Sequence, residues 1–148
     1  MHNFETLTVY KMNNRVVNIN LEGLTHADSL VSPEHGGNCI NWILGHMIVS
    51  RDDVNKILGI DKISNENLLA KYSRGTEPIT AGNAVDLKEL LDTFNKSQAA
   101  IEEKVAATDF KDRQDELKSL AFLAFHEAYH AGQTGLLRRI AGKSGAIK

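Results

Sequence analysis

Two histidines four residues apart, His126 and His130, are the side chains of this sequence best suited to chemistry. They belong to a segment that reads H-E-x-x-H, in which Glu127 directly follows the first histidine. If this segment is helical, both imidazoles project from one face and can reach a single metal ion. Because two protein ligands make a poor metal site, we expect a third ligand elsewhere in the chain.

The same spacing is typical of zinc proteases, in which the glutamate acts as general base. Those enzymes commonly take their third ligand from further along the chain, but no residue after His130 is a histidine, aspartate or glutamate. The metzincin continuation is also missing, since Gln133 and Leu136 stand where that pattern has glycine and histidine. The sequence therefore argues against a protease and places the third ligand upstream.

His46 is the best candidate for that third ligand. It lies in the core-facing row of a strong helical pattern that also contains Ile43 and Val54. The site would then consist of three histidines from two helices. Three imidazoles leave coordination positions open, as in catalytic sites, and they suit Zn, Ni, Cu or Fe.

Four long amphipathic segments are predicted to be helices, at about 3–23, 38–59, 83–107 and 112–141. Asn38 is the predicted N-cap of the second, and Asn83 with Asp86 resembles a capping box for the third. A single helical turn is expected to start at 32–34 and to end at Gly36–Gly37, and a short helix is expected at 65–72. The polar stretch 60–82 is long for a simple connection, which indicates a crossover along the bundle or a functional loop.

These segments predict an all-α fold, a four-helix bundle that forms a single domain over residues 1–148. The net charge of -2 argues against a general nucleic-acid or membrane-surface binder. The single cysteine, Cys39, suits a reducing compartment. With no signal peptide and no apolar run of membrane-spanning length, we expect a cytoplasmic protein.

The order of the histidine motifs resembles a known family. Asn41–Trp42–Ile43–Leu44–Gly45–His46 is followed far downstream by the H-E-x-x-H segment, Gly132–Gln133 and Leu137–Arg138. This arrangement is similar to the DinB-like superfamily, bacterial four-helix bundles of the damage-inducible type. The resemblance covers nearly the whole chain. It implies a long crossover between helices two and three, a homodimer, and a divalent metal on His46, His126 and His130. Zn and Ni are the ions we expect there.

The resemblance also implies a reaction class, since members of the wider family are similar to S-transferases and isomerases that use low-molecular-weight thiols. The leading hypothesis is therefore a metal-dependent transferase that activates such a thiol against small electrophiles, with a metal-dependent hydrolase as the alternative within the same class. A second class is a metal-binding protein without catalysis, such as a stress-response factor. A third is a bundle whose histidines are structural and whose role is association.

The sequence leaves the roles of several residues near the histidines open. Glu127 could support the site as a base or a hydrogen-bond partner, but a turn of about 100° per residue favours a solvent-facing side chain. Cys39 could be a nucleophile at a helix start, but a small buried hydrophobe is favoured. Four aromatic residues could line a pocket, although the core or a dimer interface is favoured for them: Trp42, Phe122, Phe125 and Tyr129.

Overall fold

The computed structural model describes residues 3–147 of the chain. This part folds into six helices and contains no β-strand, which confirms the predicted all-α class. The helices are α1 (Asn3–Leu21), α2 (His26–Ser29), α3 (Ile40–Leu58), α4 (Glu66–Tyr72), α5 (Leu87–Ala107) and α6 (Gln114–Ile140). None of these described helices has the length and apolarity needed to cross a bilayer. That residues 1–148 form one domain stays a prediction.

The short helix α4 confirms the one predicted at 65–72, and Asn65 caps it by accepting a hydrogen bond from the Leu68 N–H. The start of α5 differs from the prediction. Asp86, not Asn83, is its N-cap and accepts hydrogen bonds from two backbone N–H groups of the first turn. Asn83 instead closes a turn of the preceding loop, where its side-chain oxygen accepts from the Thr80 N–H at 2.7 Å.

The predictions for the first connection and for the start of α3 also need correction. A helix that the sequence did not predict lies at His26–Ser29, where Thr25 and Asp28 form a reciprocal capping box. The turn predicted to start at 32–34 is a single hydrogen-bonded turn, in which the Gly36 N–H donates to the Pro33 carbonyl at 3.1 Å. Cys39, not Asn38, is the N-cap of α3, and its side chain makes no capping hydrogen bond. Gly59 ends α3 as predicted, with a left-handed φ of 67° that favours glycine.

Helix α1 packs against α5 and α6, and α3 packs against the same two helices and α4. Three side chains fix the register of α1 on α6. Tyr10 Oη donates to the Leu120 carbonyl at 3.1 Å, Asn13 Nδ2 to the Ala124 carbonyl at 3.0 Å, and Asn20 Nδ2 to Thr134 Oγ1 at 3.0 Å. Tyr10 is fully buried in this contact, whereas Met12 of the same helix is 60% exposed.

The apolar core consists of two clusters separated by a polar layer. One cluster joins the start of α3 and α5 to the end of α1 and α6, and the other joins the opposite ends of the same helices. Between them lie buried polar side chains from all four long helices, namely Asn13, Arg51, Ser97, Gln98 and Glu127. The histidine-bearing segments of α3 and α6 therefore lie directly beside this layer.

Candidate metal centre

The structure brings together the three histidines that the sequence singled out. His46 comes from α3, and His126 and His130 come from successive turns of α6. One ring nitrogen of each lies within 4.8 Å of the others, and the Nε2 atoms of the two α6 histidines are 3.1 Å apart. His46 and His130 are each 7% exposed, whereas His126 is half-buried at the rim.

This donor set fits a divalent transition metal. Metal–nitrogen bonds of about 2.0–2.1 Å in a tetrahedral site place two ligand nitrogens about 3.3 Å apart, close to the separation of the α6 pair. Two neutral imidazoles that face each other through Nε2 can share at most one hydrogen bond, whereas a metal uses both lone pairs. The cluster therefore has the composition and spacing of a three-histidine metal site.

Hydrogen bonds at the other ring nitrogens orient two of the imidazoles. His46 Nδ1 donates to the Tyr72 carbonyl at 2.9 Å, and a carbonyl can only accept, so the lone pair of this ring is on Nε2. His130 Nδ1 lies 2.7 Å from Gln133 Oε1, which fixes the same tautomer. Such outer partners hold metal-ligating histidines in place and raise their basicity.

The segment before His46 shows how the sequence builds this support. Asn41 Nδ2 donates to the Val85 carbonyl at 2.8 Å, and Asn41 Oδ1 accepts from Tyr72 Oη at 2.8 Å. Gly45 leaves room for the Tyr72 ring, which a Cβ at this position would overlap. Close approach of α4 to α3 then places the Tyr72 carbonyl beside His46. Asn41 and Gly45 thus hold Tyr72 in the place where its carbonyl orients the His46 ring.

A pocket of about 340 Å³ opens beside the histidines. Its lining residues are Asn38, Trp42, Ile43, His46, Arg74, Gly75, Thr76, Pro78, Tyr129, His130 and Gln133. Trp42 belongs to the core and also stacks on the His46 ring, with centroids 4.6 Å apart and planes 10° from parallel. Trp42 and Tyr129 therefore line the pocket, a role that the sequence did not favour for them. Phe122 and Phe125 do not line this pocket and are exposed.

Burial controls the protonation of the cluster. It is the main cause that lowers the pKa of each histidine, and it brings the pKa of His130 to about 4. The positive charge of Arg74 also lowers the pKa of all three. Near neutral pH the imidazoles are therefore uncharged, which is the state that binds metal ions.

Glu127 lies in the core, and its interpretation as a solvent-facing side chain is wrong. It is 4% exposed, and its carboxylate accepts hydrogen bonds from Arg51 Nε at 2.7 Å and Arg51 Nη2 at 3.0 Å. Both carboxylate oxygens are thus engaged with Arg51 inside the protein, and Glu127 is not among the pocket-lining residues. This geometry suits a structural support of the α6 segment rather than a general base.

Cys39 is buried, which confirms its interpretation as a small hydrophobe. Burial raises the pKa of its thiol, so the thiolate needed for nucleophilic chemistry is disfavoured.

Sequence reasoning missed two residues of the site, Tyr72 and Arg74. Both belong to the stretch 60–82, whose polar composition gave no sign that it contacts the histidines. The tyrosine at the end of the short predicted helix was the one available signal, since a large aromatic ring on a short helix favours packing against a neighbouring helix.

A family model described as the DinB superfamily matches residues 10–134, which include all three histidines. No curated protein and no solved structure is significantly similar to the chain.

Proposed function

The chain belongs to the DinB superfamily, whose model spans most of its length, and we propose that it binds a divalent transition metal, Zn or Ni, through His46, His126 and His130. We propose further that it is a metal-dependent transferase that activates a low-molecular-weight thiol against small electrophiles. The observation that carries this proposal is the convergence of three histidine nitrogens at the wall of a pocket large enough for a small molecule.

A metal bound there would act as a Lewis acid that lowers the pKa of a thiol or of water. The surrounding residues supply the rest of the site. Tyr72 and Gln133 hold the His46 and His130 rings with Nε2 available, and burial keeps all three imidazoles neutral. Trp42 and Tyr129 provide apolar walls that would partly exclude water from the thiol and its electrophile.

The finer architecture belongs to the same proposal. The pairwise packing of the four long helices supports a four-helix bundle in which the segment containing α4 is the crossover between its second and third helices. We also propose a homodimer in the cytoplasm. Exposed aromatic residues of α6 support the dimer, and a single, buried cysteine suits a reducing compartment.

Metal binding is tested by elemental analysis and calorimetric titration with Zn and Ni. We expect one ion per chain, an increase in melting temperature, and loss of both in the His46→Ala variant. The matched control is His35→Ala, because His35 is an exposed histidine outside the cluster. Absence of metal from the wild type after titration would remove the functional proposal and favour a structural role for the histidines.

Catalysis is tested with a low-molecular-weight thiol and a chlorobimane dye. In this reaction a sulfur–carbon bond forms, the carbon–chlorine bond breaks, and the thiol proton and chloride leave to solvent. We expect a metal-dependent rate that His46→Ala abolishes and His35→Ala retains. Bound metal without turnover would favour the non-catalytic stress-response protein, and turnover of an activated ester without thiol would favour the hydrolase.

A further inference from the structure

Arg74 places an unpaired positive charge in the histidine pocket. Its guanidinium forms no hydrogen bond or ion pair with any other residue in the range 3–147. Arg51 and Arg113, by contrast, are each paired with a glutamate. None of the residues that line the pocket is acidic, so nothing within it neutralises Arg74.

The backbone that carries Arg74 also orients a candidate ligand. The Tyr72 carbonyl, two residues earlier, accepts the hydrogen bond from His46 Nδ1. Tyr72 itself is fully buried and is held by Asn41 and by the Val85 N–H. Arg74 therefore extends from a fixed point of the structure at the edge of the cluster. Its side chain is exposed and free to contact a molecule that enters from solvent.

We infer that Arg74 binds a carboxylate of the substrate, so that the thiols used by this protein are small thiols that bear a carboxylate group. This inference rests on the proposed function. A guanidinium donates two parallel hydrogen bonds to a carboxylate and holds it in one orientation. Arg74, His46 and His130 line the same pocket, so a thiol whose carboxylate is bound by Arg74 can place its sulfur on the histidine side of that pocket.

Charge balance supports this assignment. Three neutral histidines add no charge to a divalent metal, and Arg74 adds a further positive charge that no described residue of the pocket offsets. A ligand with both a thiolate and a carboxylate supplies two negative charges, one for each positive centre. An uncharged thiol offers no counter-charge to Arg74 and therefore gains nothing from this side chain.

The test compares 3-mercaptopropionate with its amide on metal-loaded protein. The two thiols differ only in the charged group, and binding is followed by calorimetry and by the fluorescence of Trp42, the single tryptophan of the chain, which lines the pocket. Because Arg74 is exposed, we expect the acid to bind about 2–5-fold more tightly than the amide. The Arg74→Gln variant should remove this difference by weakening the acid alone, while Arg15→Ala, at an exposed arginine outside the pocket, should keep it.

The outcomes distinguish a failure of the Arg74 assignment from a failure of the thiol function itself. If acid and amide bind wild type equally, or if Arg74→Gln weakens both equally, thiol binding survives but the role of Arg74 is overturned. If neither thiol binds metal-loaded protein, the thiol function itself fails and the inference falls with it. Propionate, which lacks sulfur, should bind more weakly than 3-mercaptopropionate, and equal affinity would show that the carboxylate is bound without a thiol subsite.

Discussion

Arg51 of α3 and Glu127 of α6 form an ion pair inside the core, with Nε and Oε2 2.7 Å apart and side chains 1% and 5% exposed. The remaining guanidinium donors are also satisfied. Arg51 Nη1 donates to the Phe94 carbonyl and to Ser97 Oγ, and Nη2 donates to Gln98 Oε1. This layer links α3, α5 and α6 at the level directly beside the histidines, so it sets how the two histidine-bearing helices face each other.

We expect Glu127→Gln to lower the free energy of unfolding by about 3–5 kcal/mol, because it leaves the Arg51 charge buried without a counter-charge. Replacing both partners by apolar residues, as in Arg51→Met with Glu127→Leu, should recover most of this loss. Urea unfolding of metal-free protein measures both effects. Asp92→Asn, which removes the exposed Lys88–Asp92 pair, is the control and should leave the midpoint unchanged. A neutral effect of Glu127→Gln would contradict the ion-pair assignment.

The burial of Glu127 could not be predicted from the sequence, because the residue that pairs with its carboxylate, Arg51, lies on another helix. The buried stripe of α6 contains Leu120, Ala124, His130 and Leu137, and it also includes Glu127. A hydrophobic pattern treats a glutamate as an outward residue. Only the presence of Arg51 in the core makes burial of this carboxylate favourable, and the pairing of residues far apart in sequence is not visible in local periodicity.

Gly45 lets α4 approach α3 closely enough to support His46. We expect Gly45→Ala to lower the free energy of unfolding by about 1–3 kcal/mol, since the new methyl group overlaps the Tyr72 ring. Displacement of Tyr72 should also remove the carbonyl partner of His46 and weaken metal binding by about 10–100-fold. Urea unfolding and calorimetric metal titration measure the two effects.

Gly132→Ala is the matched control for that substitution. Gly132 lies within α6, and a Cβ there meets no atom within 4 Å. Because alanine favours helix over glycine, this change should be neutral or stabilising by up to about 1 kcal/mol, with unchanged metal affinity. If both glycine variants behave alike, the close approach of Tyr72 is not what Gly45 provides.

The fold class and the membership of the histidine cluster were accessible from the sequence because each depends on repeating or local patterns. The apolar spacing of the long segments defined the helices, and the spacing of His126 and His130 placed both on one face. Helix starts were less accessible, since Asn83 and Asp86 are both good caps and only tertiary packing selects between them. The contribution of 60–82 to the site depends on long-range contacts of Tyr72, so the sequence left this stretch open between a crossover and a functional loop.

Helix α6 presents an apolar surface that the described part of the chain does not cover. Phe122, Phe125, Tyr129 and Leu136 are each between 60% and 68% exposed. We expect this face to meet a second copy of the chain, because large exposed apolar patches mark protein contacts. Light scattering should give a dimer for wild type and a monomer for Phe125→Asp, with helix content unchanged. Val31→Asp, at an exposed apolar residue outside α6, should remain dimeric.

The stability of the metal-free protein should fall as the pH is lowered from about 6.5 towards 4. Burial lowers the pKa of His130 in the folded state from an ordinary value of 6.5 to about 4. In this interval the unfolded chain binds a proton that the folded protein does not, so acid favours unfolding; above 6.5 the effect is absent, and below 4 it no longer grows.

Urea unfolding across this pH range measures the effect, and the comparison with His130→Gln isolates it from the titration of carboxylates. Glutamine is uncharged at every pH and keeps much of the polarity of the imidazole. The variant should therefore show a shallower loss of unfolding free energy between pH 6.5 and 4 than wild type. Identical slopes for the two proteins would mean that His130 titrates alike in the folded and unfolded states, contrary to its burial in the cluster.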